Sequence, residues 1–203
     1  MAVDPVDGAR RASEPQRRVF FALWPDAGLR AAFEHATHKA ARACGGRPVP
    51  AHNLHATLLF VGSVAAERIP DLLTIGAGAA PLLRDPTAHL VFDRIEFWEK
   101  PRVLVATTSS NAAPGLAVAT MLAENLFREA HRAGFAPDLK PFRAHVTVAR
   151  KVARAGHELH MRAIHWPVAG FALVESRTLP EGPSYNVVDS WSLSRGELGE
   201  GVL

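Results

Sequence analysis

The sequence predicts an α+β protein with two similar halves. Short apolar runs of strand length alternate with stretches that keep a helical spacing of apolar residues. A histidine-x-threonine triplet stands in two of the strand-like runs, as His55-Ala56-Thr57 and His145-Val146-Thr147, both shifted by the same 90 positions. Early in the chain the order is strand, helix, triplet strand, helix; later it is strands, helix, triplet strand, strands. No residue-level repeat is visible beyond the triplets.

Residues 1–18 are polar, carry Pro5, Gly8 and Pro15, and contain no apolar run. The first 17 positions therefore read as a loose tail without a secretory signal, followed by a folded unit over 18–195 and a short tail over 196–203. Val19-Phe20-Phe21-Ala22-Leu23-Trp24 is a continuous apolar run, read as a buried strand that Pro25 stops. Asp26 is placed to cap a helix reaching Cys44. Leu29, Phe33, Ala36 and Ala40 line one side of it, Lys39 and Arg42 fall near its end, and Gly45-Gly46 terminate it.

Arg47-Pro48-Val49-Pro50 is a stiff connection into a strand over 54–61, which carries the first triplet. A helix over 67–80 follows, weakened by Gly76 and Gly78. Segments 88–98 and 102–108 read as strands joined at Glu99-Lys100-Pro101. The strongest helix spans 114–133, with Leu116, Ala119, Ala123, Leu126, Phe127 and Ala130 as its stripe and Gly134 as its stop. Segment 137–142 leads into the second triplet strand, 144–150. Segment 151–166 reads as basic and irregular. Strands over 168–175 and 187–193 close the chain, with a turn at Glu181-Gly182-Pro183-Ser184.

At 203 residues the chain is long enough for one compact unit or two small lobes sharing a core. Its 48% hydrophobic and 21% charged content are those of a globular protein and set disorder aside. A net charge of +3 favours anionic partners only mildly and does not by itself identify nucleic acid. Cys44 is the only cysteine, which excludes an internal disulfide and a cysteine zinc site and fits a reducing cytoplasm. The apolar stretch 69–83 is interrupted by Pro70, Asp71, Gly76, Gly78 and Pro81, so it does not span a bilayer.

The chemistry concentrates on the triplets. Alternate residues of a strand share a face, so His55 projects with Thr57, and His145 with Thr147. At roughly 3.3 Å per residue, each imidazole and hydroxyl are rooted about 6.6 Å apart, within reach of one tetrahedral anion. Two histidines that divide acid and base duties, with hydroxyls to grip charge, suit a phosphodiester. Arg143 has the parity of His145 and lies where a phosphate would enter. Strict alternation puts Arg150 on the opposite face and Lys151 on the histidine side, unless a bulge intervenes. Phe60, Phe142 and Tyr185 are candidates to stack on a base, with Phe60 read first as a core residue.

Four stretches carry a resemblance. They are Arg18-Val19-Phe20-Phe21-Ala22-Leu23-Trp24-Pro25, Asn53-Leu54-His55-Ala56-Thr57-Leu58-Leu59-Phe60-Val61-Gly62, Pro141-Phe142-Arg143-Ala144-His145-Val146-Thr147-Val148-Ala149-Arg150, and Phe171-Ala172-Leu173-Val174-Glu175-Ser176 with Tyr185 and Trp191. Together they resemble the bacterial RNA 2′,3′-cyclic phosphodiesterases, also called 2′-5′ RNA ligases, within the two-histidine phosphoesterase superfamily. The likeness runs from about Arg17 to Leu193. It implies two lobes, each an antiparallel sheet with helices outside, facing one another across an active-site cleft.

It also implies hydrolysis of an RNA or nucleoside 2′,3′-cyclic phosphate to a 2′-phosphate. His55 is then general acid to the leaving 3′ oxygen and His145 general base on water, one ring starting charged and the other neutral. Thr57 and Thr147 hold the non-bridging oxygens, and Arg150 matches the family's arginine after the second motif; Arg143, from its parity, and Tyr185, from its ring, are added as substrate contacts. The expected partners are RNA ends or nucleotides bearing the cyclic phosphate, with no cofactor, no metal, no membrane and no obligatory protein partner. Alternatives within the same residues are 2′-5′ joining, the reverse reaction, and binding of RNA ends without turnover. A metal site at His157-Glu158-Leu159-His160 with His165, or at His35 and His38, lacks the spacing of a zinc helix.

Overall fold

The computed structural model describes residues 15–110, 113–138, 140–153, 159–180 and 182–192, with the side chains of 159 and 160 left aside. The chain runs β1 (Gln16–Leu23), α1 (Ala27–Ala43), β2 (Arg47–Pro48), β3 (Ala56–Ala65), α2 (Ile69–Ala79), β4 (His89–Trp98), β5 (Val103–Thr107), α3 (Pro114–Arg132), β6 (His145–Arg150), β7 (Leu159–Pro167), β8 (Gly170–Leu179) and β9 (Gly182–Ser192). Short 3-10 turns cover 51–53, 66–68 and 80–82.

Two antiparallel sheets result. One has the order β3-β1-β8-β9 and the other β2-β6-β5-β4-β7. The first and last parts of the chain thus build one sheet, and the middle builds the second. The unbroken apolar run at the start now has its reason. Val19, Phe21 and Leu23 enter the main core, while Phe20 and Ala22 enter a second cluster with Ala172 and Val174. A strand buried on both faces has no polar positions to alternate with.

Helix α1 starts where Asp26 accepts a hydrogen bond from the Leu29 N–H at 2.8 Å, and it ends before Gly45, whose φ is +64°. It buries Phe33, Thr37 and Ala41 against the second sheet, with Phe33 edge-on to Phe92 and Trp166. Helix α3 buries Ala119, Leu122, Ala123, Leu126 and Ala130 and packs on α2, β3 and β4. Gly134, at φ +82°, follows it. One continuous apolar cluster runs through both sheets and all three helices. The weak helix propensity of α2 has a packing cause: a Cβ on Gly76 would strike the indole of Trp191.

Three expectations change. Segment 151–166, expected to be irregular, contains β7, which pairs with β4 from His89–Pro167 to Ile95–Leu159. Alternation there changes phase at Ala163-Ile164, where the pairing with β4 shifts register, and the histidine and arginine side chains suit an edge strand. The 47–50 connection includes β2, which pairs Arg47 with Arg150 and Pro48 with Ala149. The closing strands are longer than their apolar cores, because the ladder continues through Thr178–Pro183 to Leu179–Gly182. Among the described residues, no helix is long and apolar enough to cross a membrane.

Candidate active site

The two triplets lie on different sheets and are built alike. The paired residues beside β3 are Ala22 with Thr57 and Phe21 with Leu59, which leaves Leu58 unpaired as a bulge. Beside β6 they are Val105 with Thr147 and Leu104 with Ala149, which leaves Val148 unpaired. Each bulge places two consecutive residues inside, Leu58-Leu59 and Val148-Ala149, and reverses the parity that follows. Phe60 and Arg150 therefore share a face with their histidine and threonine. The expectation that Arg150 points away is corrected: Val103 pairs with Arg150 and Thr107 with His145 on one face of the sheet.

The imidazoles are held the same way. His55 Nδ1 is 2.8 Å from the Asn53 carbonyl, and His145 Nδ1 is 2.8 Å from the Arg143 carbonyl. A carbonyl only accepts, so each Nδ1 carries the proton and each Nε2 is left for chemistry. Aromatic rings fix the planes. His55 lies among Phe20 at 4.9 Å, Tyr185 at 5.0 Å and Trp24 at 5.7 Å between centroids. His145 packs on Trp98 at 4.7 Å.

Arg150 connects the sheets. Its guanidinium donates to the Tyr185 hydroxyl of β9 at 3.3 Å and lines a cavity of about 280 Å³ with His55, Thr57, Phe60, Arg18 and Tyr185. His145 and Thr147 are not on that wall; they stand on the opposing sheet, on the face of β6 that carries Arg150. His145 is nevertheless close enough that its charge acts on His55. Neither Thr57 nor Thr147 spends its hydroxyl on a protein partner among the described residues.

Burial dominates the electrostatics. It lowers His55 to about 4, against the bond His55 donates to the Asn53 carbonyl, and the Arg150 cation, like any charge on His145, pushes the same way as burial. Burial also lowers His145, assisted by the Arg143 cation. One ring was expected to start charged. In the ligand-free protein both are neutral near pH 7, because two half-enclosed imidazoles beside arginines gain nothing from a further positive charge.

Arg143, expected at a phosphate, is turned instead onto Glu96 at 2.6 Å and over the Trp98 ring at 4.6 Å. Glu96 also accepts from Trp98 Nε1 at 3.0 Å and Thr107 Oγ1 at 2.9 Å. Burial opposes its charge, but these donors and the Arg143 and Arg94 cations hold the carboxyl below its usual range. Glu96, Trp98 and Trp24 were not singled out as site residues from the sequence; Glu96 shares its strand with Asp93 and Arg94, so its charge gave no separate signal. Phe142 is half-buried against the core, and Phe60 sits on the cavity wall under the Arg18 guanidinium at 4.8 Å.

His157 and Glu158 lie outside the described residues, and among the described residues no three histidine, cysteine or carboxylate side chains are grouped to hold a metal.

Known proteins resemble this chain. The model of the LigT-like phosphoesterases matches residues 25–105, which include the first triplet. An RNA 2′,3′-cyclic phosphodiesterase of Thermus thermophilus is 38% identical over 187 residues, covering 90% of this chain and 92% of that protein. One from Escherichia coli is 34% identical, covering 90% of this chain and 99% of that protein. The crystal structure of E. coli LigT complexed with 3′-AMP superposes with a TM-score of 0.73 at 28% identity, over 89% of this chain and 100% of the other. With full-length relatives above 30% identity and the same two-sheet architecture, the chain belongs to the LigT-like phosphoesterase family.

Proposed function

We propose that this chain hydrolyses RNA or nucleoside 2′,3′-cyclic phosphates to 2′-phosphates, with residues 18–195 as the unit that does so. The observation that carries this is the matched presentation of two Nε2 atoms, one from each sheet, with the Arg150 cation and two unspent threonine hydroxyls on the same faces. Opposed imidazoles suit an in-line displacement, in which the attacking and leaving oxygens lie on opposite sides of phosphorus.

In the reaction, neutral His145 takes a proton from water as the water oxygen bonds to phosphorus. The bond from phosphorus to O3′ breaks, and protonated His55 delivers its proton to that oxygen. The product keeps phosphate on O2′ and a free 3′ hydroxyl; His55 ends neutral, His145 ends charged, and solvent exchange resets them. Thr57, Thr147 and Arg150 stabilise the charge on the non-bridging oxygens, and Tyr185 fixes Arg150. Arg143 acts indirectly, by bracing Trp98 and His145. The proton on His55 comes with the substrate, because an anion between the rings favours the imidazolium that burial disfavours.

The partners are RNA ends or nucleotides carrying the cyclic phosphate, and the free Cys44 thiol suits a reducing cytoplasm, where we place the protein. The test is incubation of a nucleoside 2′,3′-cyclic phosphate with the protein in excess chelator, followed by identification of the isomer formed. The 2′-phosphate is expected; the 3′-phosphate, or no product, would refute the scheme.

A further inference from the structure

A larger groove, of about 620 Å³, runs beside the catalytic cavity. One wall is the segment from Arg47 to Asn53, the other is formed by Leu179, Pro180, Gly182 and Pro183, and Arg150 and Lys151 lie between them. Asn53 Nδ2 donates to the Pro183 carbonyl at 2.9 Å and ties the walls together. Arg150, Pro183 and Tyr185 line both spaces, so the groove opens directly onto the site of His55.

The described residues around the groove leave its charge uncompensated. Arg47 and Arg150 are directly opposite one another in the β2–β6 pair, which puts two guanidinium groups on one face. Like charges opposed across strands destabilise a sheet. Among the described residues none of Arg47, Arg150 and Lys151 has an acidic partner, and no described residue of the groove wall is acidic. Arg47 and Lys151 are exposed, and Val49, Leu179 and the prolines between them offer apolar surface for a base or ribose.

We propose that this groove holds the RNA strand on the 5′ side of the cyclic phosphate, with Arg47 and Lys151 on an internucleotide phosphate. The inference rests on the phosphodiesterase function above and specifies its substrate: an oligonucleotide end in preference to a cyclic mononucleotide. Arg47 and Lys151 supply the phosphate contact, and the shared Arg150 and Tyr185 set the register between that phosphate and the reacting one.

The experiment compares kcat/KM for a nucleoside 2′,3′-cyclic phosphate with that for a tetranucleotide ending in the same group, in the wild type, Arg47→Ala/Lys151→Ala and Arg47→Lys/Lys151→Arg. In parallel, fluorescence anisotropy measures binding of a labelled tetranucleotide that ends in a 2′-phosphate, as a function of salt. The wild type should favour the tetranucleotide by at least about tenfold. The alanine variant should lose most of that preference while staying within about twofold on the mononucleotide, and the charge-conserving variant should keep it. The salt slope should fall by about 0.7 for each phosphate contact removed. No preference in the wild type, or equal losses on both substrates, would overturn the proposal. If no cyclic phosphate is hydrolysed at all, the catalytic function fails, and binding decides the groove separately: affinity lost in the alanine variant supports it, and unchanged affinity overturns it.

Discussion

Leu58 and Val148 occupy equivalent places on different sheets: each is the unpaired residue of a bulge one position after the triplet threonine. Each bulge turns the next outward residue, Phe60 or Arg150, onto the face of its histidine. The two lobes therefore present the same backbone device with different side chains, one aromatic and one cationic. That difference makes the cleft asymmetric although its triplets are not.

Arg150 should serve both the anion and the neighbouring ring. Arg150→Gln is expected to lower kcat/KM on a cyclic phosphate by about 10²-fold, the scale of removing one charge-stabilising donor. It should also raise the His55 midpoint above about 4, because the Arg150 charge is one cause of the depression. Following the His55 ring protons by NMR across pH 3 to 8 reads this; a midpoint that stays put would mean the two groups do not interact.

The depressed histidine carries a stability cost with a definite sign. His55 falls to about 4 in the folded protein from a usual value of 6.5. Between those values the unfolded chain binds the extra proton, so stability drops as pH falls through that window and is fully present above it. His55→Asn removes the effect. Relative to wild type, the variant should gain about 1–2 kcal/mol between pH 7.5 and pH 4.5, a range that discounts the full shift for partial exposure. Urea unfolding at the two pH values checks this, and a constant difference would contradict it.

Rate should depend on pH differently in the free and bound states. The profile of kcat/KM reports the free protein, where both histidines are lowered by burial, so its bell is expected below about pH 6.5. The profile of kcat reports the complex, where the phosphate anion favours the charged ring, and should lie at higher pH. Coincident profiles would rule out the supply of the proton by substrate binding.

Two glycines of α2 should respond oppositely to the same change. Gly78→Ala adds a methyl to open space and should stabilise by about 0.5–1 kcal/mol through helix propensity. Gly76→Ala drives a methyl into Trp191 and should destabilise by about 1–3 kcal/mol. Thermal melts of both variants, side by side, give the comparison.

The sequence revealed those features that rest on local chemistry. Asp26 and the Gly45-Gly46 pair marked the ends of α1, the 114–133 stripe marked α3, and the paired triplets marked the candidate site. What it hid depends on partners far along the chain. The bulge at Val148 exists only against β5, so parity counted from His145 misplaced Arg150. Strand β7 is held by β4, and its alternation changes phase at Ala163-Ile164, where the pairing register shifts. Glu96 gains importance only when Arg143, Trp98 and Thr107 converge on it.

The central claim is that His55 and His145 act on one phosphate. Single-turnover hydrolysis of a nucleoside 2′,3′-cyclic phosphate by wild type, His55→Ala, His145→Ala and the double variant tests it most directly. Each single change should cost about 10²–10⁴-fold, and the double change distinctly less than the product of the two. Losses that simply multiply, or a single variant that retains full activity, would mean the two imidazoles do not share a reaction.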